Sequence, residues 1–270
     1  MAKQTTDQSR IKIYLQNVHA PPAKYLSKQQ LNPNRLQGKI CLFRPVKFGY
    51  PDMLEKLLKT ATNLGSPRVL LVGDFMLDIY VYGDALRISP EAPVPVLKVR
   101  NTEYSCGGAG SVATDLAALG AVPVCLSAVG NDSSADILRD LLHSASADID
   151  ALITIEDRPT TSKERLVGLA QHRHRQQLIR IDTENTAPLT AEQFDLLLAN
   201  YKEKLENADI VCLQDYNKGL LGSPLCEKMI ELAIKHNKKV LVDPCRDCDY
   251  SKYLGATLIT PNRIEASAAA

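Results

Sequence analysis

No stretch of this 270-residue chain has the apolar length of a membrane span, and none near the N-terminus has that of a secretory signal. The sequence therefore predicts a cytoplasmic protein with no membrane partner. It has no G-x-x-x-x-G-K-[ST] string, which excludes the P-loop way of cradling phosphate. Cys245 and Cys248 form a lone C-x-x-C with no second pair at zinc-ribbon spacing, so they read as free thiols in a loop rather than a metal or redox centre. The seven cysteines are scattered and odd in number, which suits a reducing compartment. Internal repeats and low-complexity tracts are missing too, apart from the terminal alanines.

What is present is ordinary globular material, 45% hydrophobic and 23% charged, enough for one substantial core and a small lid. The formal charge of +1 hides an asymmetry: residues 1–50 hold nine Lys or Arg against one acid, which leaves the remaining 220 residues at −7 by difference. Residues 1–51 are thus expected to be a loosely ordered basic extension. The acidic remainder, 52–270, makes nucleic acid a poor partner.

From Asp52 on, helical and strand periodicities follow one another. Leu54, Leu57, Leu58, Ala61 and Leu64 share one helical face behind Asp52 as cap. Arg68–Gly73 is an apolar run of strand length. Residues 79–100 alternate loosely, with prolines at 90, 93 and 95, which permits edge strands or a lid but no helix. Helices are predicted at 109–119, 133–144, 191–207 (Thr190 as cap) and 224–237. Strands are predicted at 122–129, 151–155, 161–169, 176–181, 210–214, 240–243 and 257–260. This rhythm implies a mainly parallel sheet with helices on both faces and right-handed crossovers. Lid segments are expected around 79–105 and 151–182. Such sheets bind ligands at the carboxyl ends of their strands, where Asp74, Asp215, Asp243 and Asn262 fall.

Several strings carry a family likeness: VLLVGDFMLD (69–78), ISPEAPVPVLKV (88–99), CGGAGSVATDLAALGA (106–121), RPTTSKERLVG (158–168), QQLIRID (176–182), LQDYNKG (213–219), LVDP (241–244) and ATLITPNRIE (256–265). In order and spacing, over roughly four-fifths of the chain, they resemble the ribokinase-like (PfkB) carbohydrate kinases, and among them the heptose 7-phosphate kinases. The resemblance implies a three-layer α/β fold with a small β lid. It also implies ATP and Mg2+ as cofactors and transfer of the γ-phosphate to the anomeric hydroxyl of D-glycero-D-manno-heptose 7-phosphate, a step toward ADP-heptose and lipopolysaccharide core precursors. A homodimer through the lid is a further implication. Family members continue to a DTxGAGD-like segment bearing the catalytic Asp; that segment would lie beyond Ala270, where this sequence ends ASAAA. The expectation is a C-terminally truncated kinase domain with no catalytic residue of its own and no turnover of ATP.

By the same resemblance, Asp78 accepts hydrogen bonds from sugar hydroxyls, and Asp74, Gly107, Gly108, Ser111 and Asp215 line the substrate. The paired glycines let backbone N–H groups approach a ligand. Ser111 stands where the family has Asn, and a hydroxyl cannot replace an amide that both donates and accepts. A phosphorylated sugar needs cations, and Lys163 and Arg165 share one strand face, with Arg180 on the next strand. The charged tip His172–Arg175 reads as solvated surface. Lys218 is placed to pair with Asp215 or Asp243. Asn262 and Glu265 form the N-x-x-E element that organises magnesium and phosphate in the family, Glu265 holding the metal through water; without it they are a loop Asn and a helix-start Glu. Cys245 replaces a Lys common in the family.

Two other functions compete. Gly108, Gly110 and Ala113 fit the G-x-G-x-x-A of a nicotinamide-dependent oxidoreductase, but the fingerprint needs a buried strand running straight into the turn. A non-catalytic remnant that binds sugar phosphate accounts for the departures at Ser111 and Cys245 and for the missing segment.

Overall fold

In the computed structural model, described for residues 56, 59–60, 63, 65–169, 175–246 and 249–269, Arg68–Gly73 (β1) forms the centre of a parallel sheet. All but the first of its residues are buried, because both faces are covered: Leu70 and Val72 point into one hydrophobic cluster and Leu71 into another. Residues 56–270 form one unit and 1–55 another. The basic extension, the Asp52 cap and the apolar helical face behind it lie outside the described residues, although Lys56, Lys59 and Thr60 are helical. At the other end Ala270 also lies outside them.

Chain order continues with Phe75–Ile88 (β2), Pro95–Gly108 (β3), Ala109–Ala118 (α1), Val122–Gly130 (β4), Ser133–Ser144 (α2) and Asp148–Ile155 (β5). Ser162–Gly168 (β6), Gln176–Thr183 (β7), Ala191–Glu206 (α3), Ile210–Gln214 (β8), Ser223–Lys235 (α4), Lys239–Asp243 (β9), a 3-10 turn at Tyr250–Tyr253, Leu258–Ile259 (β10) and Arg263–Ala269 (α5) follow. Six strands form the large sheet in the order β10-β9-β8-β1-β4-β5, with every pairing parallel. Helices α3 and α4 cover one face through Leu197, Tyr201, Leu225 and Met229; α1 and α2 cover the other through Ala113, Leu138 and Leu142. No described helix is long and apolar enough to cross a membrane.

A second sheet, ordered β3-β2-β6-β7, is built from the strands flanking Pro90 and Pro93 and from those that carry the glycine pair and the cation-rich motif. β3 and β7 pair antiparallel with their neighbours, whereas β2 and β6 are parallel. Of the two segments expected in the lid, one needs correction. Residues 148–155 are a strand of the large sheet, paired with β4, so the second contribution to the small sheet begins at Ser162. Ala151 and Leu152 are buried there, an apolar pair that a thin, solvated lid strand does not require.

Helix ends follow local chemistry. In α3 the Thr190 hydroxyl accepts from the Gln193 N–H at 3.3 Å while the Gln193 side chain accepts from the Thr190 N–H at 3.0 Å, a reciprocal cap for two orphan donors. Thr190→Ala should lower the stability measured by urea unfolding by about 1 kcal/mol. An unchanged midpoint would show that α3 is held by its packing alone.

Candidate functional site

The parallel sheet changes direction at β1: the chain builds outward through β4 and β5, then returns to β8 and builds the other way. Strand carboxyl ends at such a switch open a crevice. Asp74 follows β1 and Asp215 follows β8 at that place, both nearly fully buried at 5% and 4% exposure. Asp243 ends β9 beside them.

Asp74 is held by backbone. Its Oδ2 accepts from the N–H groups of Tyr216 at 2.9 Å and Lys218 at 3.2 Å. Burial raises its pKa to about 6 from an ordinary 3.8, and the Asp215 charge adds to the rise, against the two amide hydrogen bonds and Arg158. In Asp215, Oδ1 accepts from the Asn217 N–H at 2.8 Å, and Oδ2 accepts from Lys252 Nζ at 2.6 Å and the Tyr253 hydroxyl at 2.8 Å. Lys252, itself buried, also donates to the Leu221 carbonyl at 3.0 Å. The cation for Asp215 is therefore Lys252. Lys218 instead pairs with Glu184 at 2.7 Å, because its side chain points toward the segment leaving β7.

Asp78 lies on the small sheet, where β6 places Lys163 opposite it and Arg165 opposite Tyr80. Its Oδ1 accepts from Arg165 Nη1 at 2.7 Å, and the guanidinium lies 5.0 Å from the Tyr80 ring centre. Burial opposes the charge on Arg165, but the Asp78 hydrogen bond and charge outweigh it and hold its pKa above the usual arginine value. Arg165 is thus an ion-pair partner of the sugar-binding candidate, and Arg180 is held by Asp182 through two contacts, at 2.8 and 2.9 Å. Lys163 has Asp78 and Asp182 as its register neighbours.

The glycines meet this acid from β3. A Cβ on Gly107 would sit 2.9 Å from an Asp78 carboxylate oxygen, so glycine lets β3 pack this closely against the acid, whose side chain is 19% exposed. Gly108, at φ 56°, turns the chain into α1, and a Cβ there would collide with the Asp74 carbonyl. Ser111 donates its hydroxyl to the Cys106 carbonyl at 2.8 Å, inside the same turn. Burial and the Asp78 charge push the Cys106 thiol up to about 11.

A cavity of about 320 Å³ is lined by Asp215, Tyr216, Asp243, Pro244, Arg246, Thr260, Asn262 and Glu265. Within it the N-x-x-E element caps α5. Asn262 Oδ1 accepts from the N–H groups of Ile264 and Glu265 at 2.9 and 3.0 Å, while Glu265 Oε2 accepts from the Asn262 N–H at 2.8 Å. Burial, followed by the Glu265 charge, raises the pKa of Asp243. Among the described residues no three His, Cys, Asp or Glu side chains gather as a metal cluster. Asp243 and Glu265, two of the three carboxylates that line the cavity, are still a hard-oxygen donor set, which fits a magnesium ion that keeps waters and phosphate oxygens as its other ligands.

One further expectation changes. Cys245 enters a disulfide, so it is not a free thiol; Cys248 lies outside the described residues, as does the tip 170–174, while Arg175 lies 5.0 Å from the Tyr82 ring centre. The dinucleotide fingerprint lacks its setting, because β3 is an antiparallel edge strand of the small sheet rather than a buried parallel strand feeding α1. Lys252 and Arg158 were not singled out by sequence reasoning, since a lone Lys between tyrosines and an Arg before Pro carry no local signal.

The site thus joins strand-end carboxylates at the switch of a parallel sheet to a second small sheet that carries Asp78 and its neighbouring cations. The sequence profile of the pfkB family of carbohydrate kinases matches residues 66–270, running through to Ala270, and the chain belongs to that family. It is 40% identical over 203 residues to the bifunctional protein HldE of Wolinella succinogenes, covering 75% of this chain and 42% of that protein. To HldE of Helicobacter pylori (strain Shi470) it is 42% identical over 198 residues, covering 73% and 42%. The match thus spans about two-fifths of the length of these curated relatives. The fold is also that of an Arabidopsis thaliana ribokinase solved with ribose and ATP (TM-score 0.53, 16% identity, covering 75% of this chain and 62% of that one). It is likewise that of the tetrameric inhibited form of Escherichia coli phosphofructokinase-2 (TM-score 0.55, 19% identity, 76% and 64%).

The buried Asp74 has a testable consequence. Its folded-state pKa of about 6 exceeds the ordinary 3.8, so its contribution to stability is full below the lower value and is lost as pH rises through the upper one. Asp74→Asn keeps an acceptor for the two amides and removes the charge. Relative to the unaltered chain, this variant should gain about 2 kcal/mol in urea unfolding as pH rises from ~4 to ~7. A difference that does not vary with pH would contradict the buried-carboxylate account.

Proposed function

We propose that this chain binds D-glycero-D-manno-heptose 7-phosphate as the sugar-binding part of an ATP- and magnesium-dependent kinase acting on its anomeric hydroxyl, yielding the 1,7-bisphosphate. The observation that carries the reading is the partly exposed Asp78 carboxylate, packed against Gly107 and flanked in register by Lys163, with Arg165 held against it. A carboxylate accepts from sugar hydroxyls, and adjacent cations suit a substrate that also bears a phosphate. Its support in the comparisons is membership of a carbohydrate-kinase family and similarity to proteins named HldE.

On this reading Asp74 and Asp215 do not touch sugar through free lone pairs; they shape the crevice wall, and Gly107, Gly108 and Ser111 shape its roof. The phosphoryl donor lies toward the Asp243, Asn262 and Glu265 cavity, where Glu265 and Asp243 would hold magnesium, in part through water. Bound magnesium would supply charge stabilisation for the transferring phosphoryl group. We assign no catalytic base to residues 1–270; on the family resemblance that Asp follows Ala270. A homodimer through the small sheet is the assembly the reading implies. β7 is exposed along its whole length and shows Leu178, Ile179 and Ile181 to solvent.

Calorimetry with purified chain tests the assignment without requiring turnover. Asp78→Ala should weaken heptose 7-phosphate binding by about 1–3 kcal/mol. Lys163→Ala should weaken that ligand much more than unphosphorylated heptose. Unchanged affinity in the first variant would remove Asp78 from the sugar site, and equal losses for both sugars in the second would make Lys163 structural.

A further inference from the structure

Four segments carry the chain between the two sheets: Asp74, the Gly108–Ala109 step, residues 156–161 and residues 184–190. Three of them converge on one turn, Asp215–Gly219, which begins with the aspartate that walls the magnesium-side cavity. Asp74 accepts from two of the turn's N–H groups, those of Tyr216 and Lys218. Lys218 reaches Glu184 on the segment leaving β7. Arg158, on the segment leading into β6, closes the arrangement.

The Arg158 guanidinium donates through Nη1 to the Ala187 carbonyl at 3.0 Å and through Nη2 to the Asn185 carbonyl at 2.6 Å, and Nη2 also donates to the Lys218 carbonyl. One side chain therefore ties together the way into the small sheet, the way out of it and the turn below. The planar fork of an arginine is suited to this, because it offers five N–H donors in fixed directions. Burial lowers its pKa and the Asp74 charge opposes that fall. Its neighbour Thr160 anchors the same segment to the large sheet: the Thr160 N–H donates to Asp132 at 2.8 Å, and its hydroxyl accepts from the Gly130 N–H at 2.9 Å. The carbonyl of the next residue, Thr161, accepts from the Leu77 N–H of β2 at 2.9 Å. Movement of β2 and β6 at Asp78 thus has a short, hydrogen-bonded route to Lys218.

We propose that Arg158 is a positioning residue that couples occupancy of the Asp78 site to the Asp215–Lys218 turn, so that the small sheet and the donor-side cavity respond to each other. The inference rests on the sugar-phosphate reading of Asp78. Arg158 touches neither ligand; it acts through the Lys218 carbonyl and the segment 185–187. A purely structural arginine would stabilise this junction equally with and without ligand. A coupling arginine makes the turn's behaviour depend on the ligand.

Hydrogen exchange read by mass spectrometry, with heptose 7-phosphate as the probe, separates these cases. In the unaltered chain the ligand should slow exchange at the amides of Gly107–Gly110 and also, by about fivefold or more, at Tyr216–Lys218. Arg158→Lys should keep the first effect and lose the second. Arg158→Ala should behave alike, and if it fails to fold, as judged by thermal melting, the lysine variant alone carries the comparison. Equal slowing of the turn in Arg158→Lys would overturn the proposal, since the signal would then pass through Asp74. A turn that ignores the ligand in the unaltered chain would overturn it too. Absence of slowing at Gly107–Gly110 is a different failure: it removes the sugar-phosphate reading, and the coupling with it.

Discussion

Two carboxylates buried side by side at the β1/β8 switch are the constraint on which the rest of the structure depends. Burying ionised groups costs several kcal/mol each unless they are paired and hydrogen-bonded. Here the compensation is unequal. Asp215 has a buried lysine, a tyrosine hydroxyl and a backbone amide, whereas Asp74 has only amides and a pKa raised to about 6. Both aspartates therefore dictate the path of the chain around them. The turn after β8 folds back so that the N–H groups of residues 216, 217 and 218 face the two acids, with Asn217 at a positive φ of 57°. Crevice walls follow from that turn, and so does the cavity shared with Asp243 and Glu265.

How much of this was legible in the sequence depended on whether the signal was local. β1 and β4 are short apolar runs buried on both faces, β8 and β9 bury Val211, Leu213, Val240 and Val242 at alternate positions, and α3 announces itself through Thr190 and Gln193. Strand-end placement of Asp74, Asp215 and Asp243 followed from counting along those runs. Partners across the fold did not. Lys252 reaches Asp215 from 37 residues away and Lys218 turns to Glu184, choices made by packing that no spacing rule contains. Residues 151–155 read as lid in the sequence but pair with β4 in the structure, because an isolated apolar strand carries no mark of the sheet it will join. Asn262 and Glu265 illustrate a third case: the same residue pair satisfies a helix cap and lines a cavity, so the local reading and the functional one coexist.

The small sheet has a different logic. Beside buried residues such as Leu77 and Ser162 it carries half-buried and exposed polar groups that pair with one another: Asp78 with Arg165, Arg180 with Asp182. Such pairs are worth little in stability when partly solvated. They are consistent with side chains that exchange one polar partner for another, as the proposed role for Asp78 requires. Arg165 would then pass from the acid to the substrate, or orient the acid toward it.

The most direct test of the account is a crystal structure of the chain soaked with heptose 7-phosphate. The account predicts sugar hydroxyls within hydrogen-bond distance of Asp78, the ring against Gly107 and Gly108, and the phosphate on Lys163. A sugar bound elsewhere, with Asp78 still engaged only by Arg165, would contradict it.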